Sequence, residues 1–260
     1  MEIVIQADAD EVGRVAASVI ADVVARKPDG ALGLATGSSP LKIYSELAAR
    51  VAAGALDFSR MRGFALDEYV GLPFEHPESY HAVIDRTVTR PLGFDPRLVH
   101  VPDGMASDIA AACEAYEQAI VDAGGIDVQI LGIGANGHIG FNEPTSSFAS
   151  RTRIKTLTPK TRADNARFFA SPEQVPTHCL TQGLGTIMCA RRIVLVAQGE
   201  GKAEAVAAAV EGPVSASCPA SILQHHEHAT IVVDEAAASR LRNRDYYKYT
   251  YANKPDWQRY

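Results

Sequence analysis

The chain has no C-x-x-C pair, no long apolar run and no excess of positive charge. Each absence removes a class of function. The four cysteines, Cys113, Cys179, Cys189 and Cys218, stand far apart, so neither a disulfide framework nor a zinc knuckle is expected, and a reducing compartment fits best. No stretch reaches the roughly 18 apolar residues that a membrane span needs. The opening MEIVIQADADEVG lacks the cationic and apolar regions of a secretory leader. These features lead us to expect a cytoplasmic protein with no membrane partner. Acidic residues outnumber basic ones by 31 to 25, so the overall field repels phosphate backbones and no nucleic-acid partner is expected. No linker, repeat or compositional break divides the 260 residues, which reads as a single domain over 1–260.

What is present is a βαβ rhythm. The apolar runs EIVI, ALGLA from Ala31, MRGFAL ending at Leu66, LVHV near Val99, DVQILG from Asp127, IVLVAQ from Ile193 and TIVVD from Thr230 mostly alternate with helical patterns. This predicts an α/β fold, a doubly wound and mostly parallel sheet with helices on both faces, Rossmann-like in layout. The least regular part, about 144–176, is the candidate lid. In open α/β sheets ligands bind beyond the carboxyl ends of the strands, so each strand end is read for chemistry.

Thr36-Gly37-Ser38-Ser39-Pro40 follows ALGLA and opens a helix whose expected inner face is Leu41, Tyr44, Leu47, Ala48 and Val51. Free N–H groups and hydroxyls there make an anion cradle sized for a monophosphate. A plain serine N-cap is the competing reading. Neither a P-loop nor a full G-x-G-x-x-G fingerprint is present, so no nucleotide cofactor is inferred. A helix N-terminus supplies only roughly 0.3–1 kcal/mol to an anion, whereas micromolar binding needs about 8. Charge-assisted hydrogen bonds add roughly 1.5–3 kcal/mol each. Arg167, on a short helix expected over Pro159 to Phe169, and Lys202, after the strand IVLVAQ, are the cations expected to supply them.

Asp67 and Glu68 end the strand MRGFAL. Neighbours there point apart, so one carboxylate can face the crevice while the other packs or caps; Asp67 is favoured as a general base, with a solvated loop aspartate as the alternative. LGIGANGHIGFNEP, from Leu131 to Pro144, mixes four glycines with His138 and Glu143. It reads either as a catalytic turn or as a glycine-rich turn around a structural histidine. In RTRIKT, period two places Arg151, Arg153 and Lys155 on one face, as a solvated surface or a second anion site. His225-His226-Glu227-His228 precedes TIVVD at the end away from the crevice, and no metal is assigned to it. The aromatic, basic tail from Arg240 is expected to form a terminal helix that packs its tyrosines.

With these stretches placed, the chain resembles the glucosamine-6-phosphate deaminases over nearly its whole length. The likeness rests on LGLATGSSPLKIY, FALDEYVGLPFEHPESY, LGIGANGHIGFNEP, SFASRTRIKTLT, NARFF, VPTHCLTQGLGT and GKAEAVAAAVEG. It implies a cofactor-free aldose-to-ketose isomerisation with loss of ammonia, from glucosamine 6-phosphate to fructose 6-phosphate. By the same likeness Asp67 carries the proton from C2 to C1 through an enolamine. His138 opens the pyranose ring, oriented by Glu143 and Asn136, a position where some relatives carry Asp. Gly37, Ser38, Ser39, Arg167 and Lys202 hold the phosphate. Ser146, Arg153, Lys155 and Thr156 match a site at which allosteric members bind the activator N-acetylglucosamine 6-phosphate, and a homo-oligomer is implied. The rival readings are a lactonase or isomerase of the same fold acting on another sugar phosphate, and a sugar-phosphate sensor without turnover.

Overall fold

The computed structural model describes residues 1–258. The first half runs β1 (Glu2–Gln6), α1 (Ala9–Arg26), β2 (Ala31–Leu34), α2 (Leu41–Ala52), β3 (Arg62–Ala65), β4 (Asp67–Tyr69), α3 (Tyr80–Ile84), α4 (Arg90–Leu92), β5 (Val99–His100) and α5 (Ile109–Asp122). The second continues with β6 (Val128–Leu131), β7 (Arg153–Thr156), α6 (Pro159–Asn165), β8 (His178–Thr181), α7 (Leu184–Met188), β9 (Arg192–Ala197), α8 (Ala203–Glu211), β10 (Ala229–Asp234) and α9 (Arg244–Ala252).

Seven strands form one sheet in the order β1-β10-β9-β6-β2-β3-β5, and every pairing in it is parallel. The expected doubly wound sheet is therefore present. Its central strands β2 and β6 are buried along their whole length, as parallel strands covered by helices on both faces require. The carboxyl ends of β9, β6, β2 and β3, four neighbours, carry the four stretches in which chemistry was expected.

A second sheet was not expected. β4, β8 and β7 pair antiparallel in that order. Only Leu66 separates β3 from β4, so the two strands read in sequence as one run with a loop behind it. Asp67 is accordingly the first residue of a new strand rather than the start of a loop. In α2 the buried face is Ile43, Tyr44 and Leu47, while Leu41 lies exposed at the first turn. In α9 Tyr247 and Tyr251 pack on the main core but Tyr246 and Tyr249 face solvent, so the tail packs only half of its helical tyrosines. Arg259 and Tyr260 of that tail lie outside the described residues. Among the described residues no helix is long and apolar enough to cross a membrane.

Candidate active site

The turn after β2 is held from both sides. The Tyr44 hydroxyl of α2 accepts from Ala35 N (3.0 Å) and donates to Ala35 O (2.8 Å), and Gln198 from the end of β9 donates to Ser39 O (3.2 Å). Gly37 sits at φ +88° with open space where a side chain would be, a conformation that favours glycine. No serine side chain caps α2, whose N-cap is Pro40. The serine hydroxyls thus remain available to a ligand, against the plain-cap reading. Arg167 reaches over from the segment after α6, its guanidinium 3.5 Å from Ser38 Oγ. Lys202 Nζ donates to Ile133 O at the end of β6 (2.7 Å). Burial pushes the Lys202 ammonium down from its ordinary value; Asp164 opposes this, while the positive charge of Arg167 lowers it further. Two cations beside a turn whose serines do not cap α2 are an arrangement able to hold an anion.

In β4 the two adjacent carboxylates differ in their partners. Glu68 is fully buried and accepts from Tyr69 N (2.7 Å), Tyr80 N (2.9 Å) and His81 N (2.8 Å), so it fixes the start of α3. Asp67 is also buried. Burial, with the adjacent Glu68 charge second, pushes its carboxyl well above the usual carboxylate range. A Cβ placed on Gly140 would lie 3.7 Å from Asp67 Oδ2, which puts this carboxylate directly against the His138 turn. The Tyr80 hydroxyl, on the helix that Glu68 anchors, donates to the Tyr69 hydroxyl (3.2 Å).

In the turn itself, Gly134 serves the imidazole. A Cβ there would meet His138 Cε1 at 2.2 Å and Nδ1 at 2.4 Å, so the ring lies flat against bare backbone. His138 Nδ1 stands 3.4 Å from Glu143 Oε2 and makes no hydrogen bond of good geometry. Asn136 Nδ2 donates to that same Oε2 (2.6 Å), and Asn136 Oδ1 accepts from His138 N (3.2 Å). Asn136 therefore acts on the ring through Glu143 and the backbone, without touching it. Burial would raise the Glu143 carboxyl, but His138 and the hydrogen bonds of Thr161 and Asn136 outweigh it and bring it down to about 2. It is a fixed anion behind an imidazole, the arrangement that holds a histidine for proton transfer.

β7 turns its charged residues inward. Arg153 and Lys155 are half-buried, whereas Ile154 and Thr156 alternate onto the exposed face. Partial burial argues against a fully solvated surface for these two cations and sets the Thr156 side chain apart from them. Arg151 leaves the group altogether, its guanidinium bound to Glu117 of α5. Arg153 donates to Asn142 Oδ1 (2.9 Å), and its guanidinium is depressed chiefly by burial. The buried Ser146 hydroxyl has no hydrogen-bond partner. In the histidine cluster, the His226 ring engages Ala190 O (2.8 Å).

Thr158 and Thr161 were missed by sequence reasoning. Their hydroxyls both contact Glu143 Oε1, Thr158 at 3.3 Å. T-P-x-T marks a helix N-terminus, but nothing local ties it to a carboxylate 18 residues away.

The family model described as glucosamine-6-phosphate isomerases/6-phosphogluconolactonase matches residues 5–232. A glucosamine-6-phosphate deaminase of Pseudarthrobacter chlorophenolicus is 62% identical over 258 residues, covering 99% of both chains. One of Streptomyces coelicolor is 61% identical over 259 residues, with the same coverage. A solved structure described as a monomeric glucosamine-6-phosphate deaminase superposes with TM-score 0.90 at 41% identity, over 92% of this chain and 100% of that one. The 6-phosphogluconolactonase of Trypanosoma cruzi shares the fold alone, with TM-score 0.76 at 19% identity over 93% of this chain and 97% of that one. The sheet, the match over most of the chain and identities above 60% lead to one conclusion: the chain belongs to the glucosamine-6-phosphate isomerase/6-phosphogluconolactonase family.

Proposed function

We propose that the protein is a glucosamine-6-phosphate deaminase that converts glucosamine 6-phosphate and water into fructose 6-phosphate and ammonia, and that it works in the cytoplasm. The observation that carries this reading is the placement of a buried carboxylate, Asp67, against a turn that holds the His138–Glu143 pair, with the anion cradle formed by the turn after β2. Ring opening and C–H abstraction act on different atoms of one sugar, and separate strand ends supply the two bases.

With the phosphate held by Gly37, Ser38, Ser39, Arg167 and Lys202, His138 moves the proton between the ring oxygen and the C1 hydroxyl. Asp67 takes the C2 proton, giving the enolamine, and returns it to C1. The C2 imine left behind adds water and loses ammonia, giving the ketone. The unusual protonation tendency of Asp67 suits a carboxyl that must carry the proton between the two carbons. Segment 144–176, which carries Arg167, is the lid in this scheme, and 1–260 acts as one domain. Supplying glucosamine 6-phosphate and 6-phosphogluconolactone side by side tests the assignment. Ammonia from the first with no acceleration of lactone hydrolysis is expected; the reverse pattern overturns it.

A second anion site on β7 belongs to the proposal, favoured by the inward-facing Arg153 and Lys155 and the unpartnered Ser146 hydroxyl. Its ligand would be N-acetylglucosamine 6-phosphate acting as an activator, in a homo-oligomer. Ile154, exposed on the edge strand of the small sheet, supports an interface there. If Arg153→Ala leaves both the saturation curve and the response to that sugar phosphate unchanged, this part fails.

A further inference from the structure

Glu143 divides its two oxygens between two bodies. Oε2 faces the fixed turn, through Asn136 and His138. Oε1 faces the segment that carries Arg167, through the hydroxyls of Thr161 and Thr158. Thr158 is the N-cap of α6, accepting from Thr161 N, and the two hydroxyls lie 2.9 Å apart. The start of α6 is thus bolted to the carboxylate, while its far end is seated elsewhere. Asn165 donates to the Tyr69 hydroxyl (3.0 Å), the Phe169 ring packs edge-on to Tyr69 at 5.7 Å, and Arg167 reaches Ser38.

We infer that Thr161 is a positioning residue, which sets the rotation of the Glu143 carboxylate from Oε1 so that Oε2 faces the imidazole, and so couples the seating of segment 159–169 to the orientation of His138. Without Thr161, Oε1 keeps only the longer 3.3 Å contact of Thr158, and a carboxylate held weakly on one side can swing about its terminal bond, which is broad and soft. A catalytic ring whose neighbour swings spends less time in the productive pose, and a misplacement near 1 Å can cost about a hundredfold in rate. Thr161 is itself buried, so its hydroxyl is shielded from bulk solvent. The inference rests on the proposed deaminase reading for its kinetic readout and on structure alone for its spectroscopic one.

The test compares wild type with Thr161→Val, which keeps the shape and removes the donor, and Thr161→Ser, which restores it. Binding of the acyclic analogue 2-amino-2-deoxyglucitol 6-phosphate, which needs no ring opening, is measured alongside. The valine variant is expected to lose about 10- to 100-fold in kcat, with KM and analogue affinity near wild type, and the serine variant to recover most of the loss. The ring 15N resonances of His138 should move in the valine variant and return in the serine one. Thr161→Ala provides the same comparison if valine disturbs folding. Unchanged kcat and unmoved His138 resonances overturn the inference. So does a joint loss of kcat, KM and analogue affinity, which marks a residue that only seats the lid. If wild type releases no ammonia, the deaminase reading fails by itself, and the His138 resonances still decide the coupling.

Discussion

Replacing Gly134 by alanine tests how the imidazole is seated. The added Cβ would stand 2.2 Å from His138 Cε1, whereas non-bonded carbons rest roughly 3.5–4.0 Å apart. The ring must therefore retreat by more than about 1 Å, because the backbone at Gly134 is hydrogen-bonded at both N–H and carbonyl, from Gly134 N to His138 O and from Gly137 N to Gly134 O, both 2.9 Å. Gly134 is not among the glycines with positive φ, so alanine suits the backbone and the strain falls on the side chain. A displacement of that size breaks the 3.4 Å contact with Glu143 and is expected to cost about a hundredfold in kcat/KM, about 2.7 kcal/mol of transition-state stabilisation. Stability should fall by no more than about 1–2 kcal/mol, since overpacking at about 1–3 kcal/mol is partly offset by the smaller unfolded ensemble of alanine, about 0.4–1 kcal/mol. Steady-state ammonia release and thermal unfolding, measured on the same preparation, provide the assay. Gly132→Ala is the control, since its Cβ meets Ser39 Cβ at 3.6 Å and Ser39 Oγ at 3.8 Å, both ordinary contacts, and it should stay near wild type. A folded Gly134→Ala protein with wild-type kcat/KM would refute the reasoning.

Asp67→Asn should raise Tm at neutral pH. Because the folded-state carboxyl is raised, its ionisation opposes folding as pH rises through that value, so the gain shrinks toward pH 4 and vanishes below the ordinary carboxylate range; a variant less stable than wild type at pH 7 would contradict this. The acid limb of kcat/KM for wild type should, for the same reason, lie above the ordinary carboxylate range, which a pH–rate profile checks. Asn136→Asp sets a second carboxylate beside Glu143 Oε2, now 2.6 Å from an amide; like charges so close share a proton, so the pH–rate profile should shift, and superimposable profiles would count against it. Arg167→Ala removes one charge-assisted contact, worth about 1.5–3 kcal/mol, and should raise KM by about 10- to 100-fold with kcat less affected; an unchanged KM removes Arg167 from the phosphate site.

The main sheet was legible because parallel strands buried on both faces leave near-continuous apolar runs, unbroken in Ile193–Ala197 and interrupted only by Gln129 in Val128–Leu131. The strand-end rule then led to Thr36–Ser39, Asp67, the 131–144 turn and Lys202 without reference to any relative. The small sheet was not legible. β4 is three residues long and contains both Asp67 and Glu68, so its composition reads as a loop, and its partner β8 is paired only through distant chain. The direction of the β7 charges was hidden as well, since period two fixes which residues share a face but not which face turns inward. Thr161 could not be found because its partner is set by the packing of α6 and not by spacing.

The central claim is that Asp67 carries a proton between two carbons of glucosamine 6-phosphate while the amine is lost as ammonia. Ammonia and fructose 6-phosphate, quantified together after the purified protein meets that substrate, test it most directly when wild type and Asp67→Asn are run in parallel. Equal amounts of both products from wild type are predicted, with turnover about two to four orders of magnitude lower in the variant and substrate binding retained. Binding without either product, or an Asp67→Asn protein as fast as wild type, would contradict it.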